Sequence, residues 1–220
     1  MTKIDRARVA DTALRLLNEV GLDGLTLRAI ARELDVKAPA LYWHFKDKQA
    51  LLDEMATVMY RRMLADDLPG PGQGLEPGPA PVTWQAQLIA YNTALRTALL
   101  RYRDGAKVYS GARFTGTDHA PGLEAHLRTM TEAGFTLRQA VRAGTTAFSY
   151  TLGFVTEEQG VQPRPDERRD GFDTDERAAR MAEFPLAAAA GPEIFSGYDE
   201  RFEDGLLLIV AGIEARYGVG

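Results

Sequence analysis

The segment TLRAIARELDVKAPALYWHFKDK, residues 26–48, decides the fold of this 220-residue chain. Thr26 is suited to cap a helix, and apolar residues then recur at the helical spacing i, i+3, i+4 and i+7: Leu27, Ile30, Ala31 and Leu34. A turn at Asp35 leads to a second helix, predicted over residues 38–44, with Pro39 in its first turn, where a missing N–H costs little. Two short helices across a tight turn, followed by the aromatic and basic run YWHFKDK, are typical of a helix-turn-helix DNA reader.

The flanking residues predict a further helix on each side of this unit. Helix 1 is predicted over residues 5–20, with Asp5 as its N-cap and Gly21 just past its end. Asp47 is expected to cap helix 4, whose inner face carries six apolar residues: Leu51, Leu52, Met55, Val58, Met59 and Met63. Nine of the thirteen residues in PGPGQGLEPGPAP, residues 69–81, are Gly or Pro, so helix 4 is predicted to end there in an extended loop.

Helical periodicity returns after this loop. Helices are predicted over residues 84–102, 107–113, 122–133, 137–159 and 198–217, and a weaker one over 176–190 is predicted to end at Gly191 and Pro192. Residues 162–175 are charged and are expected to be irregular. Because no alternating strand pattern occurs, we predict an all-α fold. Its parts are a helix-turn-helix domain (1–48), a connecting helix (49–68), a Pro/Gly-rich loop (69–82) and a second helical domain (83–220).

Composition narrows the class of protein. No apolar run approaches the roughly 20 residues of a membrane span, and the N-terminus lacks the apolar core of a signal peptide. The absence of cysteine excludes disulfides and thiolate zinc sites and fits a reducing compartment, so we expect a cytoplasmic protein. The net charge of −5 is uneven: residues 1–62 hold eleven Lys and Arg against nine Asp and Glu, and the remainder holds fifteen against twenty-two. DNA binding needs a local basic face, which this division permits.

Two late helices are apolar on more than one face. Residues 137–159 mix small side chains with Phe148, Tyr150 and Phe154, and residues 198–217 contain GLLLIVAGI. Each must therefore bury more than one face. They are either core helices of a monomer or helices shared with a second copy. We expect the second, a homodimer, because a two-helix DNA reader usually works in pairs.

Several segments, in order along the chain, resemble one family of proteins. These are ALRLLNEVGLDGLTLRAIARELDV and PALYWHFKDKQALLD near the N-terminus, and later YRDGAKVYSGARFT, LEAHLRTMTEAGFTLRQA, SYTLGFVTEEQ and GLLLIVAGIEA. The chain resembles the TetR family of transcriptional regulators, and within it the tetracycline repressors. The resemblance fails at residues 69–81 and at about 161–196. It implies that residues 83–220 form a ligand-binding and dimerisation domain.

The resemblance also implies which residues contact double-stranded operator DNA: Arg28, Lys37, Ala38, Pro39, Ala40, Tyr42, His44 and Lys48. Arg28 suits a bidentate contact to guanine, because its planar fork fits O6 and N7. Tyr42, His44 and Lys48 suit phosphates, which set register without reading sequence. Pro39 offers only an apolar contact.

Departures from the tetracycline repressors predict a different operator. Where those repressors have an acidic residue, a glutamine and a threonine, this chain has Lys37, Ala38 and Ala40. Ala38 lacks the amide that would read an adenine edge, so we expect a palindrome other than the tetracycline operator.

Each of these side chains also has a plainer interpretation. Trp43 is expected to be a core aromatic. For Tyr42, a position in the core is the alternative to a DNA contact. His44 is alternatively a cation favoured by the C-terminus of helix 3. Lys48 and Arg28 are alternatively solvated surface cations.

For the second domain, the resemblance implies eight ligand-contacting positions: Leu64, Tyr91, Leu95, Tyr109, Arg113, Phe114, His126 and Glu157. Tyr109 stands where the tetracycline repressors have a magnesium-ligand histidine, and Leu64 and Tyr91 replace two polar anchors of the drug. A neutral phenol is a poor magnesium ligand. We therefore expect a largely apolar or aromatic effector, an antibiotic or metabolite, bound without metal or cofactor.

Some of these positions keep open alternatives. Arg113 either holds an oxygen of the effector or pairs with an acidic side chain of the protein. His126 is either a ligand contact or a packed histidine. Glu157 corresponds to an acidic residue that reaches the pocket from the second subunit.

The predicted function is a ligand-responsive DNA-binding regulator, most simply a repressor that an effector releases from a palindromic operator. The sequence lacks a G-x-S-x-G, H-E-x-x-H, Walker A or G-x-G-x-x-G motif, so no catalytic residue is expected. The alternatives are a dimeric DNA-binding protein that needs no ligand and, remotely, an enzyme.

Overall fold

The structure is a computed structural model that describes residues 5–65, 83–164, 167, 169 and 173–219. Within these ranges the chain forms helices and no strand beyond one isolated bridge, which confirms the predicted all-α fold. The predicted loop 69–81, and the end of helix 4 before it, lie outside the described residues. The N-terminal helices are α1 (Arg6–Gly24), α2 (Leu27–Glu33), α3 (Ala38–Tyr42) and α4 (Lys48–Ala65). The later helices are α5 (Trp84–Leu100), α6 (Gly105–Tyr109), α7 (Ala120–Glu132), α8 (Leu137–Val161), α9 (Thr174–Arg180), α10 (Pro185–Phe195) and α11 (Tyr198–Tyr217).

The predicted N-caps are confirmed at three helices. The side chain of Asp5 accepts from the Arg8 amide at 2.8 Å, that of Thr26 from the Ala29 amide at 3.1 Å, and that of Asp47 from the Ala50 amide at 2.8 Å. Each cap satisfies an amide that the first turn of a helix leaves without a partner. Gly21 adopts a φ of 68° and kinks α1 where the helix was predicted to end.

The turn between α2 and α3 is confirmed at residues 34–37. Asp35 takes a left-handed φ of 53°, which Asp tolerates better than most side chains. The Val36 amide then reaches back to the Ala31 carbonyl at 2.9 Å, closing the helix end. Helix α3 ends at Tyr42, two residues before the predicted end, because its last turn tightens onto the Leu41 carbonyl.

One apolar core joins the N-terminal helices to the rest of the chain. Buried residues of α1–α4 form a continuous cluster with residues of α5 and α6, including Leu95, Leu99 and Ala106. A second cluster fills the space between α5, α7, α8 and α11 around Trp84, Met130 and other residues. Helix α4 therefore packs against both α1 and the second domain.

Helix α8 buries more than one face, as its sequence predicts, whereas α11 buries a single stripe in this chain: Phe202, Leu206, Val210 and Ile213. Helix α8 packs against α5, α6, α7 and α11. At Gly205 of α11 a Cβ atom would lie 2.0 Å from the Tyr150 hydroxyl, so only glycine permits this close approach. Two leucines of α11 nevertheless stay on the surface, Leu207 and Leu208, the latter 74% exposed.

A buried ion pair joins α5 to α8. The Arg96 guanidinium donates to both carboxylate oxygens of Glu158, at 2.8 and 2.6 Å. It also donates to Asp199 of α11 at 2.7 Å and lies over the Phe202 ring. Burial alone would lower the pKa of Arg96, but the two carboxylates outweigh it and raise the pKa.

The prediction of one helix over residues 176–190 is wrong. Two helices, α9 and α10, occupy this region, and Gly191 and Pro192 lie inside α10 instead of ending it. The break occurs at Phe184, because the residue before a proline avoids helical backbone angles and Pro185 is suited to begin a new helix. Helix α6 also lies earlier than predicted, at residues 105–109 instead of 107–113. Helices α5, α7 and α8 end within two residues of their predicted ends, and α11 has its predicted bounds.

Candidate functional site

An exposed surface surrounds α3, which we call the reader face and define by Arg28, Lys37, Pro39, Tyr42 and Trp43. All five residues are exposed. Helix α3 is anchored from below, because Leu41 and Phe45 are buried in the core. The turn from α2 places Arg28, in the first turn of its helix, on the same domain as the N-terminus of α3. A cationic and aromatic surface carried by a short, anchored helix can contact phosphates and base edges.

The prediction that Trp43 belongs to the core is wrong. Its side chain is 88% exposed, whereas Phe45 is fully buried. The reason is spacing, since Leu41 and Phe45 lie four residues apart on one side of the chain and Trp43 falls between them. Tyr42 is also exposed, so the alternative core role for Tyr42 is excluded.

The remaining predicted DNA residues are less exposed or are tied to the protein. Ala38, Ala40 and His44 are half-buried. The Lys48 ammonium donates to the Leu22 carbonyl at 2.9 Å, which links the start of α4 to the end of α1.

Arg6, which sequence reasoning missed, fixes the end of the recognition helix. It donates to the His44 carbonyl at 2.6 Å and to Glu54 of α4 at 2.9 Å, and it lies 4.6 Å from the centroid of the Phe45 ring. An arginine in helix 1 has no local signal for this role, because its partners are 38 and 48 residues away.

The second domain contains a cavity of about 340 Å³, here called the central cavity. Helices α4, α5, α7 and α8 and the segment 110–119 surround it. Its lining is formed by Tyr60, Leu88, Tyr91, Asn92, Phe114, His119, Leu123, His126, Leu127, Ala140, Val141, Gly144, Thr145 and Phe148. The volume and the mainly apolar lining are those of a small-molecule site.

The structure brings three of the eight predicted ligand positions to this lining: Tyr91, Phe114 and His126. Tyr109 lies directly behind it, with its ring 5.6 Å from Phe114 and 6.3 Å from Phe148.

The other four predicted positions lie elsewhere. Leu95 is buried in the core, and Leu64 packs against the same cluster. Arg113 and Glu157 are exposed, and the Arg113 backbone amide donates to Asp53.

Several lining residues were absent from the predicted set, among them Tyr60, Phe148 and His119, and the sequence signals for these three residues differ. Phe148 belongs to the helix that was predicted to bury more than one face, whereas Tyr60 was not among the apolar positions predicted for helix 4. His119 follows a segment without helical periodicity, and only the tertiary structure turns it toward the cavity.

Burial favours the uncharged forms of three tyrosines and one histidine at or beside the cavity. It raises the pKa of Tyr60, Tyr91 and Tyr109 above the ordinary value of tyrosine, so their hydroxyls keep their protons. Burial also lowers the pKa of His126, whose Nδ1 lies 3.3 Å from the Gln87 side-chain oxygen. Gly144 leaves room for this ring, since a Cβ atom there would lie 3.1 Å from His126 Nε2.

Helix α4 connects the cavity to the reader face. The amides of Arg113 and Thr115 donate to Asp53 and Thr57 of α4 at 3.0 and 2.9 Å. Arg61 of α4 pairs with Asp118 at 2.7 Å. The segment that carries Phe114 and His119 is therefore bonded along α4, whose first residue, Lys48, lies next to the recognition unit.

A second link joins α1 to the corner between α5 and α6. Asp104, with a left-handed φ of 56°, accepts from the Leu22 amide at 2.9 Å and from Lys107 at 2.7 Å. Burial alone would raise the pKa of Asp104, but these bonds outweigh it and lower the pKa. Asn18 adds a bond from the Arg103 amide at 2.8 Å.

Two known protein families match successive parts of the chain. Residues 9–55 match the family of bacterial regulatory proteins called tetR, and residues 76–217 match the tetracyclin repressor-like C-terminal domain. The chain belongs to the TetR family. It is 39% identical to the class A tetracycline repressor from transposon 1721 of Escherichia coli over 220 residues, 98% of this chain and 93% of that protein.

Solved TetR-family structures share the whole architecture. A possible TetR-family regulator from Streptomyces coelicolor A3(2) is 35% identical, with a TM-score of 0.78 over 96% of this chain and 99% of that one. Class A TetR in complex with 5a,6-anhydrotetracycline and magnesium is 35% identical, with a TM-score of 0.65 over 94% and 96% of the two chains. The protein is a ligand-responsive, DNA-binding transcriptional regulator of this family, which is one of regulators and not of enzymes.

Among the described residues, the lining of the central cavity contains two histidines, His119 and His126, and no Asp or Glu. Carboxylate oxygens and water are the ligands that magnesium prefers. No cluster of three or more His, Asp or Glu side chains that could hold a metal occurs in the described ranges. No helix described in the structure is long and apolar enough to cross a membrane.

Proposed function

We propose that this TetR-family regulator acts in the cytoplasm as a homodimeric repressor. It binds a palindromic operator and is released by a small, largely apolar or aromatic effector in the central cavity. This effector is an antibiotic or metabolite other than magnesium-tetracycline. Arg28, Lys37, Pro39, Tyr42 and Trp43 make the DNA contacts of the reader face.

The observation that carries this proposal is the position of α4. Its first turn holds Lys48 beside the recognition unit, and Tyr60, three turns further along, lines the cavity. At 1.5 Å per residue these positions lie about 18 Å apart on one rigid helix. An effector that moves Phe114 or His119 acts on α4 through Asp53, Thr57 and Arg61. A ligand that binds better to a different α4 position shifts the population away from DNA.

Selection of binding sites from random DNA tests the operator. We expect a palindrome whose half-sites lie roughly one DNA turn, 34–36 Å, apart. Because Ala38 and Ala40 lack polar atoms for base edges, we expect a sequence other than the tetracycline operator. Recovery of the tetracycline operator would contradict this part of the proposal.

The dimer is proposed to form through α8 and α11. Both helices expose apolar side chains beside their buried faces, Val141 on α8 and Leu207 and Leu208 on α11. Replacing Leu208 by Glu is expected to yield monomers in sedimentation experiments, because the added charge would be desolvated in the interface. Val20→Glu, at an exposed position of α1, is the control and should leave the dimer intact.

A thermal-shift series with and without magnesium tests the effector. Tetracycline is expected to stabilise the protein little, and magnesium should not change the result, since the cavity lacks oxygen anions for the metal. Strong stabilisation by tetracycline that depends on magnesium would overturn the metal-free proposal.

A further inference from the structure

Polar groups that have no hydrogen-bond partner among the described residues lie at and beside the central cavity. The hydroxyls of Tyr60 and Tyr109 and the Nδ1 atom of His119 are buried without a hydrogen-bond partner in the described part of the chain. Tyr60 and Tyr109 are 3% and 5% exposed. Their rings meet at Phe114, with centroids 5.1 Å and 5.6 Å from it, and the His119 ring lies 5.2 Å from it. We call these three side chains, with the neighbouring Tyr91, the hydroxyl pole.

Unpartnered buried hydroxyls are costly, because each loses its bonds to water without replacement. Native proteins leave few such groups. Tyr60 and His119 line the cavity and Tyr109 lies behind Phe114, so a ligand in the cavity can complete the bonds of Tyr60 and His119. Since burial holds these tyrosines protonated, each hydroxyl supplies a proton and requires an acceptor. A carbonyl oxygen has two lone pairs and can accept from two such donors.

Charge in the ligand is disfavoured by the same lining. Within the described ranges, no Asp, Glu, Lys or Arg lines the cavity. The nearby Asp118 is already held by Arg61 at 2.7 Å. An ionised ligand would lose its hydration without gaining a countercharge, which is far more expensive than burying a neutral group.

Most of the other lining residues are apolar, among them Leu88, Leu123, Leu127, Val141 and Phe148. The polar side chain of Asn92 is already engaged, since it accepts from Thr151 at 2.7 Å and donates to the Leu88 carbonyl at 2.8 Å. The cavity thus combines the polar atoms of Tyr60 and His119 with a mainly hydrocarbon and aromatic lining.

We infer that the effector is an uncharged polycyclic aromatic ketone. Its carbonyl oxygen accepts hydrogen bonds at the hydroxyl pole, and its rings lie against Phe114, Phe148 and the apolar lining. This inference rests on the proposed function and specifies the ligand of the same cavity.

A matched set of three probes tests the inference by calorimetry on the full chain. The probes are 9-fluorenone, fluorene, which lacks the carbonyl, and 9-fluorenone-2-carboxylate, which adds a negative charge. We expect fluorenone to bind roughly tenfold more tightly than fluorene, the effect of one or two buried hydrogen bonds. The carboxylate should bind more weakly still. Equal affinity of fluorenone and fluorene, tighter binding of the carboxylate, or no binding by any probe would overturn the inference.

The Tyr60→Phe variant tests whether the Tyr60 hydroxyl donates to the carbonyl oxygen of fluorenone. It should lower the affinity for fluorenone several-fold and leave the affinity for fluorene unchanged, because the ring remains and only the donor is lost. Tyr42→Phe, on the reader face, is the matched control and should change neither affinity. If Tyr60→Phe weakens both probes equally, the hydroxyl is not a ligand donor and the inference fails.

A parallel titration against the selected operator separates the two proposals. If fluorenone binds as expected but leaves the operator complex intact at saturation, ligand-relieved repression is wrong for this ligand class and the cavity inference stands. If another, charged compound releases the operator while fluorenone does not bind, the proposed function stands and the inference is overturned.

Discussion

Polar side chains are exposed to water on the reader face, whereas several of those at the central cavity are buried. On the reader face, Arg28, Lys37, Tyr42 and Trp43 stand in water around an anchored five-residue helix. In the cavity, Tyr60 and His119 are withdrawn from water, and no charged residue joins them. DNA presents a dense array of phosphates, so an exposed cationic surface attracts it strongly even in water. A small ligand offers little surface. A mainly apolar cavity with a few hydrogen-bond donors therefore distinguishes one small ligand from another better than an exposed surface does.

From this difference we can predict which property each kind of substitution should change, operator binding or stability. Changes on the reader face should alter operator binding with little change in stability, because the side chains have few contacts to lose. Changes among buried polar groups should alter stability first, because a partner left alone in the core cannot be solvated.

The largest effect is expected at the buried ion pair. Glu158→Ala leaves the Arg96 guanidinium, which is 10% exposed, without its bidentate partner. The free energy of unfolding should fall by about 3–5 kcal/mol, measured by denaturant titration. The neighbouring Glu157 is exposed, so Glu157→Ala should stay within about 0.5 kcal/mol of the parent protein. Similar losses for the two variants would contradict a structural role for the pair.

Two aromatic residues at the end of α3 test the comparison within one segment. Phe45→Ala should reduce stability by about 3–5 kcal/mol, because it opens a cavity in a fully buried site. Trp43→Ala should leave the unfolding midpoint nearly unchanged and weaken operator binding in a fluorescence anisotropy assay. A Trp43 variant with full operator affinity would remove Trp43 from the reader face.

Substitutions of Arg28 are expected to have a smaller effect, which is limited to DNA binding. Arg28→Ala should cost about 1–3 kcal/mol of operator affinity, the usual value of a bidentate guanine contact. Arg28→Lys keeps the charge but not the planar fork, so it should recover little of the specific affinity. If both variants lose affinity equally for the operator and for unrelated DNA, the contact is to phosphate and not to a base.

The smallest effect compares two matched caps, Thr26 on α2 and Thr136 on α8. Thr136 forms a reciprocal capping box with Gln139, and Thr26 caps the Ala29 amide. Replacing either threonine by Ala should cost about 1 kcal/mol of stability. Thr26→Ala should also weaken operator binding, because α2 positions Arg28, whereas Thr136→Ala should not. Equal effects on DNA binding would show that the two regions are less separate than their packing indicates.

Much of the helical framework was predictable because its signals are local. The caps at Asp5, Thr26 and Asp47 and the bounds of α11 follow from side chains a few residues apart. The break at Phe184 was missed because Gly191 and Pro192 were given more weight than Pro185. The local rule for the residue before a proline would have placed it correctly.

The cavity was less predictable than the recognition unit. Positions carried over from the resemblance put Tyr91, Phe114 and His126 on its lining, yet Arg113 and Glu157 lie on the surface of the single chain. Tyr60 and His119 reach the lining because α4 packs against α5 and α6 and is bonded to the segment 110–119. No spacing in the sequence encodes that arrangement.

The sequence by itself determined the all-α fold, the helix-turn-helix unit and its relationship to the tetracycline repressors. Periodicity, caps and motif residues act over one or two helical turns, and they can be read without knowing the partners. Only the tertiary structure decided that Trp43 is exposed and Phe45 buried, that Arg6 holds the end of the recognition helix, and that Tyr60, whose hydroxyl has no partner among the described residues, lines the central cavity. These features depend on contacts between residues tens of positions apart, and such contacts exist only once the helices have packed.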